Sequence, residues 1–257
     1  MIEVYDIETL ASCFTYTGYD IETKELKTFV IHKDKDESKE LYNHLKTLKH
    51  LVGYNNVNFD YPIIHRFIKN FKNYISPEHI INDLYTKAQE IISKQDSSMF
   101  TDIVAIKHKE WLINQVDLFK IWHYNNPAKR TSLKALQISM NYPNVMESKV
   151  PHTKKDITLE EVKDIVEYNV NDVMSTYEFF LKSKEKIKLR NDIQAKYNLP
   201  CINWNNGKIG EQLILKLYCE KVDKSVWDIK PLRTYRPQIH LKECVPQITN
   251  FKNKEFQ

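Results

Sequence analysis

The first residues, IEVYDIE at 2–8, alternate with the period of a strand. Ile2, Val4, Asp6 and Glu8 fall on one face, and Glu3, Tyr5 and Ile7 on the other. Residues 12–19 and LKTFVIH at 26–32 read as two more strands, with the polar YDIETKE between them as a turn. The three together form an antiparallel meander. The period then changes: in DESKELYNHLKTL (36–48), Leu41, Leu45 and Leu48 share one helical stripe. KHLVGYNN (49–56) is a short buried strand that ends in a polar loop. FDYPIIHRFIKNF (59–71) is a helix that tolerates Pro62 in its first turn. Residues 78–95 are helical, 114–122 (NQVDLFKIW) an apolar strand, and 131–140 a helix capped by Thr131 or Ser132. Residues 158–198 are strongly helical, as one helix or two, with Val162, Ile165, Val166, Val170, Val173, Tyr177 and Phe180 recurring in steps of three and four. Residues 205–221 are the last clear helix, and beyond 222 the periodicity fades. Strands that mix with helices in this order predict an α/β domain with a mixed central sheet flanked by helices.

A chain of 257 residues can bury one good core, or one core with an appendage. The expected division is a main domain at 1–200 and a C-terminal helix with an extended tail at 201–257. With 42% apolar and 28% charged residues but only 4 glycines, the chain is neither low-complexity nor linker-rich. No apolar run is long enough to span a membrane. Glu3, Asp6 and Glu8 stand where a secretory leader would be apolar, so a cytoplasmic protein is expected. Cys13, Cys201, Cys219 and Cys244 are scattered without metal-binding or disulfide spacing and read as free thiols. The net charge of +4 permits a nucleic-acid partner without demanding one. KRTSLK at 129–134 and KSKEKIKLR at 182–190 are either phosphate-facing patches or solvated faces.

The candidate chemistry starts at Asp6 and Glu8. At i and i+2 on a strand, both carboxylates leave the same face. They repel, and burial is costly without a compensating cation. All-oxygen ligation suits Mg²⁺ or Mn²⁺. In GYNNVNFDYPII (53–64), Asp60 opens a helix after a loop rich in amides, and Phe59 stands beside it. A helix cap explains Asp60; so does work on a metal while neighbouring amides and an aromatic grip a nucleotide. In EYNVNDVMSTYEFF (167–180), Tyr168 and Asp172 are i and i+4 on one helix and share a face. Four carboxylates and a tyrosine match the ligand demand of two divalent cations roughly 4 Å apart.

DIET at 6–9, NNVNFD at 55–60 and YNVND at 168–172, in that order, resemble the three motifs of the DEDD 3′→5′ exonucleases. The Y-x-x-x-D form of the third is that of the tyrosine branch, because Glu167 stands where the other branch has histidine. The set is most similar to the proofreading exonuclease domain of phage-type family B DNA polymerases, over roughly residues 1–200.

This resemblance implies a ribonuclease-H-like fold and a two-metal 3′→5′ exonuclease that hydrolyses single-stranded DNA to nucleoside 5′-monophosphates. It implies that Asp6, Glu8, Asp60 and Asp172 hold two Mg²⁺ or Mn²⁺ ions and that Tyr168 positions the attacking water. Thr9, Leu10, Asn55 and Phe59 are then expected at the terminal nucleotides. Lys134 and the basic residues of 182–190 are weaker candidates for phosphate contacts, and Asp117 is structural. The expected partners are the 3′ end of single-stranded DNA and a polymerase portion on the same or a separate chain. The tail after 200 reads as the start of such a region, in an excised fragment or a split gene. RNA as the substrate, and a non-catalytic 3′-end-binding module, are the alternatives. A composition rich in Lys, Asn, Ile and Tyr fits an AT-rich genome such as a phage's, and then a host cytoplasm.

Overall fold

The computed structural model describes residues 1–97, 105–123, 131–231, 237–238 and 240. Among them six strands form one sheet, in the order β4-β3-β2-β1-β5-β6. They are β1 (Ile2–Leu10), β2 (Cys13–Asp20), β3 (Leu26–His32), β4 (Lys35–Asp36), β5 (His50–Gly53) and β6 (Asn114–Asp117). The first three pair antiparallel as the meander predicts, the short β4 adds a fourth antiparallel strand that the pattern does not predict, and β1, β5 and β6 run parallel.

Register decides where chemistry can occur. β1 pairs with β2 along nearly its whole length, from Glu3 opposite Asp20 to Leu10 opposite Cys13. With β5 it pairs only from Ile2 to Val4. The rest of that edge is open to the chain that follows β5, where α2 (Asp60–Asn70) begins.

The alternation of β1 separates two cores. Tyr5 and Ile7 join Phe14, Tyr16 and Ile31 under α1 (Ser38–Leu45), α2 and α3 (Pro77–Ser97). Val4, Val52 and Val116 pack on the opposite face against Val173 and Phe179 of α6 (Leu159–Tyr197) and Leu118 and Ile121 of α4 (Leu118–His123). A third cluster, of Leu10, Cys13, Val30, Val150, Ile157, Val162 and Ile165, extends this second layer. The sheet thus lies between two helical layers, and α6 crosses β1 and β2.

Two boundaries differ from the sequence expectation, and a third question, one helix or two, is resolved. α1 ends at Leu45, and Leu48 stays buried just past it. The strand expected over 114–122 stops at Asp117. The Asp117 carboxylate accepts the Lys120 N–H at 3.1 Å, which caps a helix and ends the strand. Residues 158–198 are one helix: a capping box of Thr158 and Glu161 starts it, and Asn198, at φ 50°, stops it. α5 (Leu133–Ser139) is capped by Ser132, whose hydroxyl accepts the Ala135 N–H.

The chain divides into two units, Met1–Gly210 and Glu211–Gln257. α7 (Asn206–Val222) runs from the end of the first into the second, and α8 (Val226–Ile229) is closed by a Ser225–Asp228 capping box. Residues 129 and 130 of the first basic stretch, most of the tail and Cys244 lie outside the described residues. No described helix is long and apolar enough to cross a membrane.

Candidate active site

The outer half of β1 carries Asp6 and Glu8 on the face that α6 covers. One turn of α6 brings Tyr168, Asn169 and Asp172 against them. Single carboxylate oxygens of Asp6, Glu8 and Asp172 lie within 4.8 Å of one another. Asp60, the first residue of α2, faces the same group from the open edge of β1, held by a backbone hydrogen bond from Ile7.

Electrostatics show what the cluster lacks. Burial first, and then Asp60, Glu8 and Asp172 in turn, push the Asp6 carboxyl well above the usual range. Burial, with Asp172 and Asp60, lifts Glu8 to about 8. Burial lifts Asp60 to about 7, partly offset by backbone N–H groups. Burial also raises Asp172, while hydrogen bonds from Gln137 and Tyr168 and the charge of Lys134 act the other way. Among the described residues no lysine, arginine or histidine pairs with Asp6, Glu8 or Asp172. Lys134, whose charge acts on Asp172, is engaged with Glu147 at 2.8 Å. An all-oxygen acidic cluster, Asp172 buried and Asp6 and Glu8 half-buried, with no nitrogen or sulfur ligand fits a hard divalent cation.

The loop before Asp60 is held from below. Asp117, fully buried, accepts the backbone N–H groups of Asn55 at 3.1 Å and Val57 at 3.2 Å. Asn203 bonds β6 on both sides of Val116, accepting from the Asp117 N–H and donating to the Gln115 carbonyl. Asn55 takes φ 61°, a left-handed conformation that asparagine tolerates better than most residues. The loop also crowds Gly53, where an added Cβ would lie 2.7 Å from that of Asn56.

A family profile described as predicted 3′–5′ exonucleases related to the exonuclease domain of PolB matches residues 11–198. The chain belongs to this family. The match starts just after the β1 carboxylates and takes in Asp60, Tyr168 and Asp172. No curated protein matches the chain.

In this exonuclease-family chain the expected site residues divide by position. Asp6, Glu8, Asp60, Tyr168 and Asp172 converge. Tyr168 is half-buried and hydrogen-bonded to Asp172; burial, and then Asp172 and Glu8, raise its phenol, so it stays a donor at neutral pH. Thr9, Asn55 and Phe59 are partly exposed. Leu10 is a correction: at 3% exposure its side chain belongs to the core with Cys13 and Val162, so it offers no surface to a nucleotide. Arg190 is another. It is fully buried and donates to the carbonyls of Ile121, Lys186 and Trp204, so it joins α6 to the chain around it instead of facing phosphate. In the same stretch Lys182, Lys184 and Lys188 remain exposed.

Sequence reasoning missed Asn169 and Gln137. Asn169 donates to Asp6 at 2.6 Å, and Gln137 to Asp172 at 2.9 Å. Each was legible as a carboxamide interrupting an apolar helical stripe: Asn169 between Ile165 and Val173, Gln137 between Leu133 and Met140.

Proposed function

We propose that the chain is a metal-dependent 3′→5′ exonuclease that hydrolyses single-stranded DNA to nucleoside 5′-monophosphates on a ribonuclease-H-like scaffold. The observation that carries this reading is the convergence of Asp6, Glu8 and Asp172, within 4.8 Å and without an internal cation, beside Asp60. Asp6, Glu8 and Asp172 would hold one Mg²⁺ or Mn²⁺, and Asp6 with Asp60 a second. When bound, such ions supply water activation and charge stabilisation at the phosphorus.

The chain's own groups do the positioning. The Tyr168 hydroxyl orients the attacking water by a hydrogen bond. Water adds to the terminal phosphorus, the P–O3′ bond breaks, and the leaving oxygen takes up a proton to become the new 3′-hydroxyl. Thr9, Asn55 and Phe59, all partly exposed, would meet the terminal nucleotide, the Phe59 ring by stacking. Lys134, whose charge reaches Asp172, is our candidate for a phosphate contact. The likeness of the 55–60 motif to that of family B polymerases favours DNA, and a polymerase portion is the partner we expect.

The test is degradation of 5′-labelled single-stranded DNA and matched RNA with Mg²⁺, Mn²⁺ or chelator, beside the Asp6→Ala/Glu8→Ala variant. The expected result is a metal-dependent ladder that shortens from the 3′ end of DNA and is lost by at least about 10³-fold in the variant. Preference for RNA would move the substrate class. No cleavage of either strand by folded protein would leave a 3′-end-binding module.

A further inference from the structure

Two of the three clustered carboxylates are gripped by neutral amides, and the third is not. Asn169 Nδ2 donates to Asp6 Oδ2 at 2.6 Å, while its Oδ1 accepts from Thr15 at 3.5 Å. Gln137 Nε2 donates to Asp172 Oδ1 at 2.9 Å and to the Ser175 hydroxyl at 2.8 Å. Both amides are buried, Asn169 completely and Gln137 to 1% exposure. The Gln137 carbonyl oxygen, also buried, has no partner among the described residues. The two hydrogens on its nitrogen therefore account for where this side chain sits. A carboxylate accepts and cannot donate, so the nitrogen of each amide must face it. No described side chain donates to Glu8.

We infer that Asn169 and Gln137 are positioning residues that aim the Asp6 and Asp172 carboxylates at the divalent cation, while Glu8 is left free to adjust. This inference rests on the metal-dependent reading above. The choice of amide has a physical reason. A lysine or arginine in either place would fix the carboxylate but also neutralise it, and so compete with the cation. An amide supplies an N–H and leaves the negative charge intact. Each amide occupies one oxygen of its carboxylate, which leaves Asp6 Oδ1 for the metal, while Asp172 also accepts from Tyr168. The grips come from two different elements, α6 and α5. The short helix α5 thereby gains a role in the site although none of its residues stands among the three clustered carboxylates.

The test uses two variants that keep side-chain volume and remove the donor, Asn169→Leu and Gln137→Met. Mn²⁺ binding to the full chain is titrated by electron paramagnetic resonance without DNA, and metal-free melting is followed in parallel. The expected result is an Mn²⁺ dissociation constant raised about 10–100-fold in each variant, as for other residues that orient metal ligands. Metal-free melting should fall, as it does wherever a buried hydrogen bond is lost, so the Mn²⁺ affinity of the folded protein is the deciding readout. A purely structural role would lower melting and leave the affinity of the folded protein unmoved. Where Asn169→Leu fails to fold, Asn169→Ser takes its place. Affinities within twofold of the unaltered chain in both variants overturn the inference, as does an unaltered chain that binds no Mn²⁺. If the variants lose Mn²⁺ but the unaltered chain does not degrade DNA, the positioning role stands and the exonuclease reading falls.

Discussion

Glu3 and Asp6 are three residues apart on β1, and the fold treats them in opposite ways. Glu3, 1% exposed, lies on the first face, with Tyr16 donating to it at 2.8 Å and the His44 ring nitrogen at 2.9 Å. Gly18 makes room for it: a Cβ there would lie 1.4 Å from a Glu3 oxygen that two partners pin in place. Asp117 is a second buried carboxylate with its partners built in, namely three backbone N–H groups and the nearby charge of Lys120. Asp6 and Glu8, on the other face, meet more carboxylates instead. The fold therefore supplies partners for buried acids elsewhere and withholds a cation at one place. That contrast, more than the acidity of the cluster, is what suits the site to a divalent cation.

The contrast breaks most visibly on the satisfied side. His44→Leu removes one of the two side-chain partners of Glu3 and leaves the carboxylate in the core with Tyr16 alone. Breaking a buried pair from one side costs about 3–5 kcal/mol, or roughly 10 °C in melting temperature for a chain of this length. Mn²⁺ affinity of the protein that remains folded should not change, because the two regions lie on opposite faces of the sheet. Calorimetry beside an Mn²⁺ titration checks both halves. A loss of affinity as large as that of a site variant would show that the faces are coupled, and the comparison would fail.

Asp117 tests the same idea at intermediate size. In Asp117→Asn one oxygen becomes a donor, and the Val57 or the Asn55 N–H loses its acceptor. The expected cost is about 1–3 kcal/mol. Here, unlike at His44, function should follow, because Asn55 and Val57 belong to the loop that leads into Asp60. Turnover on single-stranded DNA should fall about tenfold with Mn²⁺ affinity at the Asp6–Glu8–Asp172 cluster near normal, in line with the sensitivity of catalysis to small misplacements. Unchanged turnover in a destabilised variant would reduce Asp117 to a purely structural anchor.

Much of this was legible in the sequence. The period-2 alternation of 2–8 separates the two faces of β1, and it places Glu3 away from Asp6 and Glu8. The stripe of Val162, Ile165 and Val173 fixes which face of α6 meets the sheet, and with it the direction of Asp172. What could not be read was partnership across long sequence separations. Asn169 meets Asp6 across 163 positions, and Gln137 meets Asp172 across 35. Periodicity reports that a side chain is buried, not what it touches there. Leu10 shows the same limit, since a motif neighbour of Glu8 turns inward by plain alternation. The end of β6 was misread for a local reason. DLFKIW is apolar enough for a strand, and the capping geometry of Asp117 outweighs that propensity.

The pH dependence of stability is the most direct probe of how the cluster's charge is compensated. Burial and its acidic neighbours raise Glu8 from 4.5 to about 8. Below about pH 4.5 the group is protonated folded and unfolded alike, and it costs the fold nothing. As pH rises past that value the unfolded chain gives up the proton while the folded chain keeps it. The folded state then binds more protons, and stability falls with pH until about 8, above which the full penalty is present. Glu8→Gln has no proton to lose. In chelator its melting temperature should match that of the unaltered chain near pH 4 and exceed it increasingly as pH rises, levelling off above about pH 8. Mg²⁺ should then raise melting more in the unaltered chain than in the variant, and more at high pH than at low. A difference that stays flat from pH 5 to 9 would mean that the carboxylates already have a partner within the fold, and the cluster would then resemble Glu3 after all.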